Sequence, residues 1–188
     1  DITIIINGDN SAPVISVEPG DSDADTLVET DTTLATSGTL SVTDINTTDV
    51  VTSTVTQLVT AGTTTGLQSN NATLLAMLSL NANVIDGTSE TGTITWSFAS
   101  GSEAFDYLAV GESLVLTYTV QVEDSQGSTD TQAVVITVTG TNDVPVITVE
   151  AGDSAGETLS VTGATLTSGG SLSVADLDRS DAVTAAIT

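Results

Sequence analysis

The sequence predicts an all-β protein built from tandem β-sandwiches, and three observations support this fold class. Short stretches of alternating apolar and polar residues recur between clusters of Gly, Asn, Asp and Ser. Branched residues and Thr replace aromatic residues, which make up only 3% of the chain, and such residues favour strands. The sequence also repeats itself: segment 8–56 returns as 140–188 at a constant shift of 132, with 24 of 49 aligned positions identical.

The repeat defines the expected domains. A period of 132 residues is longer than the roughly 20–50 residues of a solenoid unit, so each repeat is expected to be a whole domain. Residues 1–8 are predicted to be the last strand of one module, 9–142 a complete sandwich, and 143–188 the incomplete start of the next. The linkers before Pro13 and Pro145 are short, which favours modules held end to end. The sequence leaves open whether the trailing part is mobile, adds to a neighbouring sheet or exchanges between chains.

About seven short strands per module favour a sandwich of immunoglobulin or cadherin type. Two segments carry apolar residues at helical spacing and are predicted as helical turns, Asn71–Leu80 and Ser102–Leu108, with N-caps at Asn71 and Ser102. The aromatic residues Trp96, Phe98, Phe105 and Tyr107 are expected in the core. The predicted strands are Ile2–Ile6, Val14–Glu18, Gly38–Thr43, Val50–Val59, Gly92–Phe98, Ser113–Val122, Thr131–Thr139, Val146–Val149, Ser171–Ala175 and Ala182–Thr188.

The charge balance restricts the function classes. Twenty-five acidic residues face one basic residue, giving a formal charge of −24, which excludes nucleic acid as a partner and disfavours anionic membranes. Such repulsion must be screened by salt or relieved by bound cations; a solvated surface suited to high salt is the alternative. Without Cys, His or Lys, disulfides, zinc sites and most nucleophile–base pairs are unavailable, so we predict that the chain is not an enzyme. No apolar run approaches the ~18–20 residues of a membrane span.

Three acid-rich segments are expected to meet at the N-terminal end of the complete module. They are the linker at Asp9 and Asn10, the loop 44–49 and the loop 123–130. Ca²⁺ takes about six to eight oxygen ligands, and these segments offer carboxylates and amides with no nitrogen or sulfur ligand from His or Cys. No EF-hand pattern is present, so such a site would be built from several loops. The candidate ligands in this copy are Asp9, Asn10, Asp44, Asn46, Asp49, Asp124 and Asp130.

The second copy supplies a corresponding set at the next junction. Acids at Asp44 and Asp49 return as Asp176 and Asp181. The alternative is that loops are acidic because every polar surface of this chain is acidic. The candidates in the second copy are Asn142, Asp143, Asp176, Asp178 and Asp181.

Several segments resemble the VCBS or cadherin-like repeats of giant bacterial RTX-type surface adhesins. The resemblance is carried in order by GTLSVTDINTTD (38–49), GTITWSF (92–98), AFDYLAVGESLVLTYTV (104–120) and VQVEDSQGSTDTQAVVITVTGTNDVPVI (120–147). It implies an immunoglobulin-like sandwich, secretion to the bacterial cell surface, and Ca²⁺ that rigidifies the linkers between modules. The implied ligands are Asn10, Asp44, Asn46, Asp49, Asp124, Asn142, Asp143, Asp176, Asp178 and Asp181.

Two departures from the family pattern concern the first junction. Asn46 stands where the second copy has Asp178, and the first linker reads DNS (9–11) where the second reads TND (141–143). The resemblance therefore implies weaker calcium binding, or altered geometry, at the first junction. The Gly-Gly-x-Gly-x-Asp nonapeptide of the calcium β-roll is absent.

We expect a structural spacer module of a surface adhesin, with neighbouring modules of the same chain as partners and calcium at the junctions. The rival hypothesis is an adhesin module that grips a glycan, ice or a partner protein directly, which would need exposed aromatic residues or a regular Thr array. Thr52, Thr54 and Thr56 alternate along one strand, although outward Thr is ordinary in strands. A surface-layer or biofilm-matrix protein made of the same modules is a third possibility.

Overall fold

The fold is a β-sandwich of two packed sheets followed by a smaller two-stranded ribbon. It was obtained as a computed structural model that describes residues 1–161, 163 and 165–187. The strands are β1 (Val14–Ser16), β2 (Ala24–Val28), β3 (Ala35–Thr43), β4 (Val50–Gly62), β5 (Leu78–Leu80), β6 (Asn83–Asp86), β7 (Thr91–Ala99), β8 (Ser113–Glu123), β9 (Thr129–Thr139), β10 (Val146–Thr148) and β11 (Ser173–Ala175); the helix α1 (Asn71–Leu75) precedes β5.

One sheet has four strands in the order β1-β3-β7-β5, and the other has five in the order β2-β9-β8-β4-β6. Neighbouring strands pair antiparallel, except that β2 pairs with β9 in parallel, Val28 opposite Thr139. The predicted sandwich is therefore confirmed. The parallel pair places the end of β2 beside the end of the last strand, where the linker to the next module begins.

The core lies between the two sheets and follows from the alternation of the sequence. Every second residue of β8, from Leu114 to Val122, points inward and is fully buried. Their paired neighbours on β9 are fully buried too: Val134, Ile136 and Val138. The four predicted core aromatics are buried, and Trp96 donates its indole N–H to the Ser22 carbonyl at 2.7 Å.

The first strand divides between the two sheets, which the sequence did not predict. After β1 the chain turns at Gly20 and then joins the other sheet as β2. Gly20 has a φ of 106°, which is strained for residues with a side chain. Asp21 holds this turn: its carboxylate accepts from the Glu18 N–H at 3.1 Å and from the hydroxyls of Thr39 (2.6 Å) and Ser41 (2.8 Å). The Thr39 hydrogen bond is the main reason that the pKa of Asp21 is lowered.

Other predictions were wrong in detail. Residues 2–6 form no strand, and their isoleucines are largely exposed, because no strand of the described residues pairs with them. Residues 182–187 form none either, and Thr188 lies outside the described residues. The helix stops at Leu75 and is capped by Asn70 instead of Asn71, and the chain then continues as β5 along β7. Residues 102–108 form turns rather than a helical segment.

The trailing part repeats the opening of the complete module in structure as well as in sequence. Strands β10 and β11 pair with the register of β1 and β3. The turn after β1 has a counterpart after β10: the Asp153 carboxylate accepts from the Glu150 N–H at 3.0 Å, as the Asp21 carboxylate does from the Glu18 N–H. Residues that are buried in the first copy, such as Ile15 and Val42, have exposed counterparts, Ile147 at 66% and Val174 at 52%.

Candidate metal centres at the two ends of the module

The three acid-rich segments meet at one end of the sandwich, as the topology predicted. Asn10 of the linker donates its amide N–H to the Asp124 carboxylate at 2.9 Å. Asp49 accepts from the Ser125 hydroxyl at 3.0 Å, which ties the β3–β4 loop to the β8–β9 loop. We call the group Asp44, Asp49 and Asp124 the module cluster, because all three lie in loops of the sandwich formed by β1 to β9.

The geometry of the module cluster suits a single hard cation. One carboxylate oxygen from each residue lies within 4.8 Å of the others. Two oxygens bound to the same Ca²⁺ at about 2.4 Å can be at most ~4.8 Å apart, so the three could share one ion. The residues are only 2%, 5% and 5% exposed, respectively. Burial of three like charges is costly unless a cation compensates them.

The hydrogen bonds of the module cluster leave specific oxygens free. Burial alone would raise the pKa of Asp124, but hydrogen bonds from Asn10 and from the Ser128, Gln126 and Gly127 backbone outweigh it, so that pKa is lowered. Asp124 is therefore held ionised. Among the residues that the structure describes, no donor reaches Oδ2 of Asp44 or Oδ2 of Asp49. These buried, unpartnered oxygens are the observation that fits a metal ligand set.

A second acid cluster lies at the opposite end of the sandwich, roughly 35 Å away along the eleven residues of β9. Glu29 follows β2, Asp31 lies two residues later, and Asp106 belongs to the loop between β7 and β8; oxygens of these three again lie within 4.8 Å of one another. Glu29 is fully buried and accepts from the linker, from the Thr141 N–H at 2.9 Å and from the Thr141 hydroxyl.

The chain after β9 contributes two further carboxylates here, Asp143 and Asp178. Asp178 accepts a hydrogen bond from the Asp143 N–H at 2.8 Å. In the first copy, Asn46 accepts the corresponding hydrogen bond from the Ser11 N–H, also at 2.8 Å. Burial first, and then the charges of Asp31, Glu29 and Asp178, raise the pKa of Asp143 to about 6. We call Glu29, Asp31, Asp106, Asp143 and Asp178 the junction cluster.

Burial and neighbouring charges disfavour the ionised form of three members of the junction cluster, Asp106, Asp143 and Asp178. Burial is the largest reason that the pKa values of Asp106 and Asp178 are raised. Within the described part of the chain, one oxygen of each of Asp106, Asp143 and Asp178 is buried without a hydrogen-bond donor. A divalent cation would remove this cost, and carboxylate oxygens are the ligands that Ca²⁺ prefers. The residues therefore fit the metal that the resemblance implies.

The structure does not bring every predicted ligand into these clusters. Asp130 accepts from the Ile15 N–H at 2.8 Å and so anchors β1. Asp9 and Asn142 are exposed, and the main-chain carbonyl of Asp9 accepts from the Asn46 side-chain amide at 3.5 Å. The Asp176 carboxylate accepts from the Asp178 N–H of its own loop at 3.2 Å. Asp181 is exposed.

Sequence reasoning missed Glu29, Asp31 and Asp106. The repeat concealed the first two, because the second copy has Val161 and Gly163 at the corresponding positions. No periodic signal in the sequence marks these residues, because Glu29 and Asp31 depend on the parallel pairing of β2 with β9, which brings residue 29 beside Thr141 of the linker, and Asp106 lies in the loop between β7 and β8.

Comparison with known proteins gives fold-level similarity only. No family model matches the sequence, and no curated protein matches it. Among solved structures, the PapD-like domain 7 of human CEP192 matches with a TM-score of 0.41 at 10% identity, over 74% of this chain and 92% of that one. The CooA pilin subunit of enterotoxigenic Escherichia coli matches at 0.44 and 12%, over 71% and 100%. AggA, the major subunit of Escherichia coli aggregative adherence fimbriae type I, matches at 0.30 and 13%, over 73% and 99%.

These TM-scores are all below 0.5, so we draw no functional argument from them. They record that PapD-like and fimbrial-subunit sandwiches are similar to this chain. Among the described residues, no helix has the length and apolar character needed to cross a bilayer.

Proposed function

We propose that this chain is a structural spacer of a bacterial surface adhesin, in which Ca²⁺ stiffens the joints between successive sandwich modules. The observation that carries the proposal is the junction cluster. Three of its carboxylates come from one module and two from the linker and the following module, and buried oxygens among them have no hydrogen-bond donor within residues 1–161, 163 and 165–187.

The mechanism follows from which residues are joined. Carboxylates hold the linker backbone at both ends. The Thr141 N–H donates to Glu29 of the preceding module, and the Asp143 N–H donates to Asp178 of the following one. Without a cation, five acids repel one another across the joint. A bound Ca²⁺ would supply positive charge to oxygens from both modules, so the ion would favour a single relative orientation.

The module cluster would have a different effect. Its three acids belong to one module, and the linker is bonded to it by Asn10, which donates to Asp124. Calcium there would stabilise the loops of the sandwich. If the ion binds with a Kd tenfold below its free concentration, the folded state gains about 1.4 kcal/mol per site.

Thermal unfolding tests this proposal. We expect the chain to melt at a higher temperature when calcium replaces EDTA, because only the folded state presents the two clusters. Magnesium should have a much smaller effect, since it demands smaller, near-octahedral sites. An equal rise with magnesium, or with sodium at matched ionic strength, would instead indicate simple screening of an acidic surface.

A further inference from the structure

The linker between the two modules begins as a firmly held part of the preceding module. The Glu29 N–H donates to the Thr139 carbonyl at 3.0 Å, next to the last pair of the parallel β2–β9 ladder. The Gly140 N–H donates to the Glu112 carbonyl at 3.0 Å. Thr141 then donates to the Glu29 carboxylate through both its N–H, at 2.9 Å, and its hydroxyl. Every residue of this stretch is therefore bonded to the preceding module.

Glu29 makes these bonds from a fully buried position, and its partners are neutral donors. One carboxylate oxygen accepts from the Thr141 N–H and hydroxyl, and the other accepts from the Asp31 N–H at 3.3 Å. A hydrogen bond to an ionised acceptor is roughly twice as strong as one between neutral groups. Because these donors belong to the protein itself, the hold of Glu29 on the linker needs no cation.

The second half of the linker is held to the following module in a different way. The Asp143 N–H donates to the Asp178 carboxylate at 2.8 Å, so this bond brings two acidic residues together. Each of them has a buried oxygen without a donor among the described residues. The Arg179 N–H also crosses the joint, but its distance of 3.4 Å from the Tyr107 carbonyl is long for a hydrogen bond. Repulsion between carboxylates therefore weakens the attachment on this side.

Asn142 separates the two halves of the linker. It is exposed, and its side chain donates to the carbonyl of its neighbour Asp143 at 2.8 Å. Within the part of the chain that the structure describes, no hydrogen bond joins its backbone to either module. Asn also tolerates a wider range of backbone conformations than most residues. The orientation of the following module can therefore change at this residue while the bonds of Glu29 stay in place.

We propose that Glu29 is a lock that fixes the start of the linker with or without calcium, so that the calcium-free joint pivots at Asn142 alone. The inference rests on the proposed function and adds where the joint bends. The lock is particular to this joint, because the repeat has Val161 in place of Glu29 and Asp9 in place of Thr141. Val accepts no hydrogen bond, and Asp has no hydroxyl to donate at neutral pH. Glu29 and Thr141 are thus a matched pair.

Amide hydrogen exchange of the full chain, followed by NMR and corrected for intrinsic rates, tests the lock residue by residue. In EDTA, the Thr141 N–H should exchange at least about tenfold more slowly than the N–H groups of Asp143 and Arg179. Calcium should slow the latter two and leave Thr141 unchanged. The Ser11 N–H is the control, because it makes the bond corresponding to that of Asp143 but to the neutral Asn46, and it should stay protected in EDTA. Exchange at Ser11 as fast as at Asp143 would overturn the inference, because exposure of this position would then explain the result.

Two substitutions test the role of Glu29 itself. Glu29→Ala should expose the Thr141 N–H to exchange in EDTA, whereas Glu29→Gln, which keeps an acceptor oxygen, should retain part of its protection. The amide of Ile136, in β9 between β2 and β8, reports whether the sandwich remains folded. Equal exchange at Thr141 and Asp143 in EDTA would overturn the inference, as would protection of Thr141 that survives Glu29→Ala. If calcium slows neither Asp143 nor Arg179, the proposed function fails, and the EDTA comparison still decides the lock.

Discussion

In EDTA, the Asp49→Asn protein should unfold at a higher temperature than wild type, and it should lose most of the stabilisation that calcium confers. The amide oxygen keeps the hydrogen bond that the Ser125 hydroxyl now donates at 3.0 Å. The substitution removes one buried negative charge from a cluster in which Oδ2 of Asp44 and Oδ2 of Asp49 have no donor among the described residues. Removing this charge should stabilise the calcium-free module by about 1–2 kcal/mol.

The same substitution removes a charged ligand, and calcium affinity follows ligand charge, so we expect binding at the module cluster to weaken by about tenfold or more. Calorimetric unfolding in EDTA and in calcium measures both effects. Ser125→Ala is the control, because it removes the partner of Asp49 without changing the charge of the cluster. An Asp49→Asn protein that is less stable in EDTA and still responds fully to calcium would show that Asp49 has a structural role only.

Gly140→Ala should destabilise the end of the module where the linker leaves it. A Cβ at Gly140 would lie 2.0 Å from the Leu108 carbonyl oxygen and 2.4 Å from that of Ala109. Both atoms belong to the main chain, and Gly140 is held by its own N–H bond to the Glu112 carbonyl at 3.0 Å. No side chain can move to relieve the clash, so we expect a loss of about 2–3 kcal/mol in the free energy of unfolding.

The repeat provides the matched control for this prediction. Gly8 corresponds to Gly140, and a Cβ there meets nothing within 4 Å. Gly8→Ala should change the free energy of unfolding by less than about 0.5 kcal/mol. Denaturant unfolding of the two variants measures the difference, and hydrogen exchange at the Thr141 N–H reports whether the bond to Glu29 is lost. Equal stability of the two variants would contradict the close approach at residue 140.

The parts of the fold that the sequence predicted are those with strong alternation. The run from Leu114 to Val122 could only be a strand with one buried face, and the structure buries that face completely. The division of the first strand could not be predicted, because it depends on how the Asp21 carboxylate meets Thr39 and Ser41, which are remote in sequence. Strand β5 was concealed by apolar residues at helical spacing.

The two candidate metal sites also differ in how far the sequence predicted them. The module cluster could be predicted because its loops come from strands whose direction the alternation and topology already fix. Two of the five residues of the junction cluster were predicted: the linker indicated Asp143, and the loop equivalent to 44–49 indicated Asp178. Glu29 and Asp31 depend on a parallel strand pairing that leaves no periodic signal, and Asp106 lies in an irregular loop.

The central claim is that calcium stiffens the joint between the modules. The distance between two spin labels, one on Thr54→Cys at an exposed position of β4 and one on Val149→Cys after β10, tests it most directly. We predict a broad distribution of label-to-label distances in EDTA that becomes narrow on calcium addition, and that stays broad in calcium when Asp143→Asn and Asp178→Asn are combined. A distribution equally narrow in EDTA and in calcium would contradict the claim, because the joint would then be rigid without the ion.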